Sequence, residues 1–199
     1  MATILEQKSQ IDKLWETFWS NGISNPLTVI EQISYLFFIK ELDEKHTREE
    51  RKANRLNRPI ENPVFDETPK QQNMRWSKFK DFAPSEMYKV VQEDVFPFIK
   101  NMGGENFAKY MKDAVFMIPS PALLATAVDM IDKLEMQDLD TKGDLYEYLL
   151  SKIAQAGVNG QFRTPRHIGK MMVELADIQP NDIVCDPSCG TAGFLICAI

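Results

Sequence analysis

The fold of this chain turns on residues 183–195, which read IVCDPSCGTAGFL. The short apolar run Ile183–Cys185 lies between polar residues, and this pattern predicts a buried β-strand. A loop with glycines at Gly190 and Gly193 follows, and the apolar residues from Phe194 onward predict a helix. A strand, a glycine-containing loop and a helix in this order indicate the opening of a Rossmann-like α/β unit.

The same loop has the residues of a ligand site. Glycines allow a ligand to approach the backbone closely, and Asp186 lies at the carboxyl end of the predicted strand, where ligands bind in open α/β sheets. The spacing Gly190-x-x-Gly193 is neither the dinucleotide fingerprint nor a Walker loop. It therefore disfavours nicotinamide cofactors and nucleoside triphosphates. A plain structural turn remains the alternative.

Upstream of this loop, the chain is predicted to be almost entirely helical. Thr164-Pro165 predicts a helix start, Ser120-Pro121 another, and Asp144 with Glu147 forms a capping-box pattern. From residue 4 to about 156 apolar residues recur at helical spacing, and this spacing predicts a bundle. The clearest stripes are Ile11, Leu14, Trp15, Phe18; Ile30, Ile33, Leu36, Phe37, Ile39; Met87, Val90, Val91, Val95, Phe98; Phe107, Tyr110, Met111, Ala114, Val115; and Ile168, Met171, Met172, Leu175, Ala176.

The predicted fold class is therefore mainly α, with two domains. Residues 1–157 form an N-terminal helical bundle, and residues 158–199 form the start of a Rossmann-like α/β domain: helix, first strand, glycine loop and helix. The apolar end, 194–199, indicates a truncated domain rather than a natural terminus.

Composition excludes several classes of protein. The chain has 199 residues, of which 44% are hydrophobic and 26% charged, as in an average globular protein. It has no apolar run long enough to span a membrane and no secretion signal, so we expect a cytoplasmic protein without a membrane partner. The net charge is −6, of which −5 falls in residues 1–157. Bulk positive charge therefore cannot hold nucleic acid.

The three cysteines, Cys185, Cys189 and Cys197, lie too close together to form a disulfide framework across the chain. We expect a reducing compartment and three buried, apolar thiols. A zinc site is disfavoured because there is no Cys-x-x-Cys pair, and the two histidines lie far away in the sequence. We predict no metal.

Two charged segments have two interpretations each. Residues 41–58 mix basic and acidic side chains, a pattern typical of a solvated helix face with i,i+4 ion pairs, and a phosphate-contacting edge is the alternative. A second basic patch either steers DNA phosphates or is ordinary surface charge. Its members are Lys152, Arg163, Arg166, His167 and Lys170. The segment 58–70 contains three prolines and predicts a surface loop.

A family resemblance joins three of these stretches. Residues 186–195 resemble motif I, the S-adenosylmethionine loop of amino-type DNA methyltransferases, and residues 160–166, GQFRTPR, resemble motif X of the same enzymes. Residues 143–150 and the helices before them resemble the N-terminal helical domain of the modification (M) subunit of type I restriction-modification systems. The resemblance covers essentially the whole chain and is strongest from Gly143 to Leu195.

The resemblance implies that the cofactor is S-adenosyl-L-methionine. Asp186 would face its ammonium group, the Thr191 hydroxyl would suit its carboxylate, and Phe162 would pack on the cofactor. Two positions depart from the family pattern: Arg163 stands where an aromatic residue is frequent, and Ala192 stands where glycine is frequent. The implied cofactor-binding residues are Gln161, Phe162, Arg163, Thr164, Pro165, Arg166, Asp186, Cys189, Gly190, Thr191, Ala192, Gly193 and Phe194.

The implied function is methyl transfer to the N6 atom of a flipped adenine, at a site chosen by a separate specificity (S) subunit. DNA, the S subunit and a second M subunit would be partners, and the resemblance also allows a restriction (R) subunit. The family's catalytic Asn-Pro-Pro-aromatic motif is absent; Asn62-Pro63-Val64-Phe65 is similar only superficially, and we interpret it as a loop anchored by Phe65. We therefore predict no catalytic residue and no activity for the chain alone. The alternative is a non-enzymatic helical module that docks an S subunit or DNA.

Overall fold

A computed structural model describes residues 4–102, 111–134, 139–155, 164–190 and 192–198. The chain divides into two compact units, Met1–Ala156 and Gly157–Ile199. Among the described residues, no helix is both long and apolar enough to cross a membrane.

The first unit is a bundle of helices joined by short irregular segments. A π-helical segment, Val91–Val95, connects α5 to α6 without a break. In the described part of this unit the helices are α1 (Ile4–Ser20), α2 (Pro26–Arg55), α3 (Pro69–Asn73), α4 (Trp76–Phe79), α5 (Pro84–Val90), α6 (Phe96–Asn101), α7 (Pro121–Asp132) and α8 (Leu139–Gln155). The predicted mainly α fold is confirmed.

Three of these helices begin with the same two-residue signal, a polar capping residue followed by proline. The side chains of Asn25, Thr68 and Ser120 accept backbone N–H groups from the first turns of α2, α3 and α7. Each cap satisfies one N–H that has no partner within its helix, and the proline lacks the N–H that would also be unpaired. The helix start predicted at Ser120-Pro121 is confirmed.

The predicted apolar stripes of α1 and α2 face one common core. Ile11, Leu14 and Phe18 of α1 are fully buried, and α1 packs against α2, α7 and α8. α5 packs along α7, which contributes five further buried residues. They are Leu123, Leu124, Ala127, Val128 and Ile131. A single hydrophobic cluster therefore joins the long helices of this unit.

One predicted helical stripe is wrong in its described part. Phe107 and Tyr110 lie outside the described residues, but residues 114–120 are not helical, and Val115 is 59% exposed. The buried side chain of Gln32 explains this conformation. Its Nε2 donates to the Val115 carbonyl at 3.0 Å, and its Oε1 accepts the Met117 N–H at 2.9 Å. A glutamine more than eighty residues away replaces the helical hydrogen bonds of this segment.

The predicted start of the last bundle helix is also wrong. Asp144 does not cap a helix, because α8 already begins at Leu139 and passes through residue 144. Leu145 and Leu149 are buried, and α8 packs against α1 and α2. This burial outweighs the weak helix propensity of Gly143, which lies inside the same helix.

Two helices, α9 (Arg166–Ala176) and α10 (Gly193–Cys197), lie in the described part of the second unit and pack against each other. Residues 183–185, where the sequence predicts the first strand, are not paired with another segment, and the described residues contain no β-strand. A strand needs a neighbour to pair its backbone N–H and C=O groups, and no described segment provides one. The expected order of helix, loop and helix is present without the strand.

The prediction of buried cysteines is wrong for the same reason. Cys185 and Cys189 are exposed and Cys197 is half-buried, all as free thiols. Without a sheet, the apolar residues beside Cys185 have nothing to pack on, and Ile183 is fully exposed.

Candidate cofactor-binding loop

Residues 186–192 form a loop that is shaped by its own hydrogen bonds. The Asp186 Oδ1 accepts the Ser188 N–H at 2.9 Å, which fixes the residues after Asp186 in an Asx-turn. The Ala192 N–H donates to the Cys189 carbonyl at 2.7 Å and closes the second half of the loop. The loop therefore has a defined conformation although most of its residues are exposed.

Two residues of this loop adopt left-handed backbone conformations. Gly190 has φ +52° and Ala192 has φ +62°. Glycine enters this region without cost, but an L-residue with a Cβ does so at about 1–2 kcal/mol. The replacement of the family's frequent glycine by Ala192 therefore falls at a position where it strains the backbone.

Gly193 leaves open space at the start of α10. A Cβ built on Gly193 would have no heavy atom within 4 Å, and Ala192, the N-cap residue, provides no side-chain hydrogen bond. The first N–H groups of a helix have no acceptor within it. The backbone at Ala192 and Gly193 is thus accessible to a ligand from the loop side.

Gly169 allows α9 to pack closely against α10, the helix that follows the loop. A Cβ at Gly169 would lie 3.3 Å from the Cys197 Sγ, closer than ordinary van der Waals contact. Gly169 is buried, and its lack of a side chain lets α9 lie directly against α10. The sequence around Gly169 does not predict this role, because a lone glycine inside a helical pattern has no specific local signal.

The sequence-predicted site residues fall into two groups. The structure brings together Asp186, Cys189, Gly190, Ala192, Gly193 and Phe194 in the loop and the first turn of α10. Thr164 and Pro165 lie exposed at the start of α9; Pro165 is the N-cap residue, so the helix starts one residue later than a Thr164 cap would place it. Gln161, Phe162, Arg163 and Thr191 lie outside the described residues, as does the side chain of Arg166.

The loop has one charged group suited to a cationic ligand. Asp186 is half-buried, and its Oδ2 has no hydrogen-bond or ion-pair partner within the described residues. A carboxylate held by one backbone N–H keeps its second oxygen free to accept from an ammonium or hydroxyl group. This carboxylate and the open backbone beyond Gly190 fit the amino-acid end of S-adenosylmethionine. No group of three or more His, Cys, Asp or Glu side chains suitable for a metal occurs among the described residues.

The sequence that superficially resembles the catalytic motif lies in the other unit and is part of its core. Phe65 is 2% exposed, and its ring stacks on Phe98 with centroids 5.4 Å apart. Its N–H donates to the His46 Nδ1 at 3.4 Å. A ring held in this way cannot stack on a nucleobase, so the interpretation of Phe65 as a loop anchor is confirmed.

Two family models match consecutive parts of the chain. The HsdM N-terminal domain matches residues 7–131, and the N-6 DNA Methylase model matches residues 137–199. Since the first match covers more than half of the chain, the chain belongs to the HsdM N-terminal domain family. The second match begins before α8, although α8 packs within the first structural unit.

Known relatives agree with this assignment. Over 192 residues the chain is 26% identical to the type I restriction enzyme EcoEI methylase subunit of Escherichia coli, covering 89% of this chain and 37% of the relative. Over 101 residues it is 38% identical to the StySPI methylase subunit of Salmonella potsdam, covering 44% of this chain and 19% of the relative. The chain thus spans less than two-fifths of the length of these relatives.

The fold also matches a solved structure. A chain from work on complex assembly and conformational transition of the type I R-M system aligns with a TM-score of 0.64 at 24% identity. The alignment covers 96% of this chain and 40% of the solved one. At this identity, the match establishes the fold alone.

Proposed function

We propose that these residues are part of the modification subunit of a type I restriction-modification complex, which methylates adenine N6 in DNA in the cytoplasm. The cofactor would be S-adenosyl-L-methionine, which supplies an activated methyl group when bound. An S subunit would choose the DNA site, and a second M subunit and an R subunit would complete the complex. The methylase-subunit relatives and the N-6 DNA Methylase match support this proposal.

The observation that carries the cofactor assignment is the Asp186 Oδ2, which has no partner among the described residues and lies beside a loop with open backbone. In the proposal, Asp186 accepts a hydrogen bond from the cofactor ammonium, and Gly190 and Gly193 give clearance for its amino-acid end. The hydroxyl of Thr191 and the ring of Phe162 are assigned by resemblance to the carboxylate and to packing on the cofactor. Gln161, Arg163, Thr164, Pro165 and Arg166 are assigned in the same way.

The proposed role of these residues is cofactor binding rather than chemistry on the base. No Asn-Pro-Pro-aromatic sequence occurs in the 199 residues, and its nearest likeness is buried through Phe65. The amino group of a flipped adenine needs a partner that polarises it. We therefore expect these 199 residues to bind cofactor without transferring its methyl group.

Isothermal titration calorimetry with S-adenosylmethionine on the 199-residue chain tests this proposal. Asp186→Asn keeps an acceptor for the Ser188 N–H but removes the charge that faces the ammonium. Hydrogen bonds to charged groups contribute about 1.5–3 kcal/mol, so we expect affinity to fall by roughly 10-fold to 150-fold.

Asp182→Asn is the matched control, since Asp182 is an exposed carboxylate that also accepts a backbone N–H, from Gln179 at 2.9 Å. Its affinity should equal that of the unaltered chain. Equal affinity of Asp186→Asn, or no binding by the unaltered chain at millimolar cofactor, would contradict the cofactor site.

A non-enzymatic docking module is the second candidate, and one observation favours it. The first unit buries its own apolar residues in one cluster and therefore needs no cofactor to complete its core. If this candidate is correct, the unaltered chain binds an S subunit or DNA and shows no binding of S-adenosylmethionine in the calorimetry.

A further inference from the structure

The last three turns of α2 carry a cationic groove on their exposed side. The groove is lined by Arg48, Arg51, Lys52, Arg55 and Leu56 and encloses about 350 Å³. The four basic side chains are at i, i+3, i+4 and i+7, so they share one face of the helix. At 1.5 Å per residue, the row from Arg48 to Arg55 is roughly 10 Å long.

The structure corrects the interpretation of this segment as a face with many ion pairs. Lys52 pairs with Glu49 at 3.9 Å, and both side chains are about half exposed, which makes the pair weak. Glu50 instead lies 3.2 Å from Arg75, a residue that bonds inward to Asp43. Within the described residues, no carboxylate lies within 4.0 Å of the guanidinium groups of Arg48, Arg51 and Arg55. Within the described part of the chain, these three guanidinium groups therefore have no ion-pair partner.

Such a row has an unfavourable electrostatic energy in the isolated protein. Like charges at i,i+3 and i,i+4 repel each other, and only Lys52 and Arg55 gain from the helix dipole, because they lie in the last turn. The net charge of the whole chain is −6, so this concentration of positive charge is opposite to the bulk of the molecule. A polyanion would remove the repulsion.

We propose that this groove binds the phosphate backbone of duplex DNA without reading its sequence. Each strand of a duplex carries one phosphate per 3.4 Å of helix axis, so a row of roughly 10 Å that lies parallel to this axis spans about three of them. Arginine, which supplies three of the four cations, presents a planar fork that bonds two phosphate oxygens at once. The lining contains no aromatic residue on which unpaired bases could stack, which favours a duplex. The choice of DNA as the polyanion rests on the proposed function.

Fluorescence anisotropy of a labelled duplex of about 20 base pairs, titrated with the 199-residue chain over a salt series, measures this contact. The triple variant Arg48→Gln, Arg51→Gln, Arg55→Gln should bind at least ten-fold more weakly at about 50 mM salt. Each phosphate contact contributes about 0.9 to the slope of log K against log salt, so the slope should decrease by about 3. The thermal stability should not decrease, because the three side chains are exposed and their substitution removes mutual repulsion.

The matched control removes three positive charges from exposed lysines outside α2: Lys13→Gln, Lys89→Gln, Lys112→Gln. This variant has the same net charge as the groove variant and should keep the unaltered affinity and salt slope. A charge-retaining variant, Arg48→Lys, Arg51→Lys, Arg55→Lys, should keep the slope and bind more tightly than the glutamine variant. An equal loss of affinity for the duplex in the groove variant and in the lysine control variant would overturn the proposal.

Two further measurements separate this proposal from others. Polyglutamate of equal charge should compete poorly with the duplex, and competition as strong as that of unlabelled duplex would assign the groove to an acidic protein instead. Asp186→Asn should leave DNA binding unchanged, and the groove variant should leave S-adenosylmethionine binding unchanged. Absence of S-adenosylmethionine binding by the unaltered chain would therefore contradict the proposed function without affecting the groove, and absence of duplex binding by the unaltered chain would overturn the groove without affecting the cofactor site.

Discussion

The helices α8 and α9 have the same kind of sequence and different environments. Both are amphipathic, but α8 buries Leu145 and Leu149 against α1 and α2, whereas in α9 Met171 and Met172 are about half exposed and Leu175 is 78% exposed. The helical period predicts a helix in both cases. Burial requires a partner surface, which the first unit provides and the described part of the second unit does not. An apolar stripe therefore predicts that a helix forms, and a tertiary contact decides what it buries.

The two units also differ in how they use polar residues. In the first unit, buried polar side chains hold distant segments together, as when the Lys40 Nζ donates to the Ile131 and Leu134 carbonyls at the end of α7. In the second unit, the described polar contacts are local, such as Asp186 with Ser188 and Asp182 with Gln179. The first unit should therefore be sensitive to buried charges, and the second to backbone conformation.

The largest effect is expected from the buried ion pair of the first unit. The Arg75 Nε donates to the Asp43 Oδ1 at 2.7 Å, and the Asp43 Oδ2 accepts the Ser77 N–H. Burial would lower the pKa of Arg75, but the hydrogen bonds and charges of Asp43 and Glu50 outweigh it and raise the pKa. Asp43→Ala would leave a buried cation without its main partner, at a cost of about 3–5 kcal/mol in the free energy of unfolding by urea.

Asp129→Ala is the control for this prediction. Asp129 pairs with Lys133 at 2.6 Å on the exposed side of α7. Exposed i,i+4 pairs contribute about 0.3–0.5 kcal/mol, so the change should be small. Similar losses for Asp43→Ala and Asp129→Ala would show that the buried pair does not hold α2 to the segment before α4.

The second prediction compares one leucine from each unit. Leu124 of α7 is fully buried, and Leu124→Ala should lower the free energy of unfolding by about 2–5 kcal/mol through lost transfer energy and a cavity. Leu175→Ala on the exposed face of α9 should change it by less than about 0.5 kcal/mol. A loss above about 1.5 kcal/mol for Leu175→Ala would mean that this side chain is buried in solution.

The third prediction concerns the strained residue of the cofactor loop. Ala192→Gly removes a Cβ from a left-handed residue and so stabilises the folded loop by about 1–2 kcal/mol. The greater conformational freedom of glycine in the unfolded chain offsets about 0.4–1 kcal/mol of this gain. Hydrogen exchange of α10 amides should therefore show about 0.5–1 kcal/mol more protection. Ala198→Gly, at φ −86°, is the control and should give no gain. Lower hydrogen-exchange protection in both Ala192→Gly and Ala198→Gly would contradict the backbone strain at Ala192.

The smallest effect is a change of stability with pH in the first unit. Burial lowers the pKa of His46, as does the charge of Arg75, while Glu50 and Asp43 partly oppose them. Because the folded pKa lies below the unfolded value of about 6.5, the unfolded chain binds more protons in this window. The stability is full above about pH 6.5 and is lost as pH falls through the folded pKa.

Urea unfolding between pH 5 and 7.5 tests this expectation. His46→Gln should flatten the pH dependence of the free energy of unfolding. His167→Gln, which changes the exposed histidine of α9, should give the same pH dependence of the free energy of unfolding as the unaltered chain. The same pH dependence in the chain and in His46→Gln would assign it to other groups.

The helical character of the chain, the helix start at Ser120-Pro121 and the composition of the loop were determined by the sequence itself. Periodicity and the polar-residue–proline pairs act over three or four residues, so they appear without knowledge of the fold. Asp186, Gly190 and Gly193 could be singled out for the same reason: their roles follow from residue type and from neighbours in the sequence.

Only the tertiary structure decided which segments depart from these local signals. Gln32 accepts and donates hydrogen bonds that keep residues 115–117 out of a helix. Contacts with α1 and α2 stabilise α8 from Leu139 onward, upstream of Asp144. Glu50 pairs with Arg75 and not with the arginines of the cationic groove. Residues 183–185 have no paired neighbour within the described residues. In each case a group distant in sequence provides or withholds a contact. The free energy of such a contact exceeds the weak preference of the local sequence for helix or strand. No pattern within a few residues can reveal a contact of this kind.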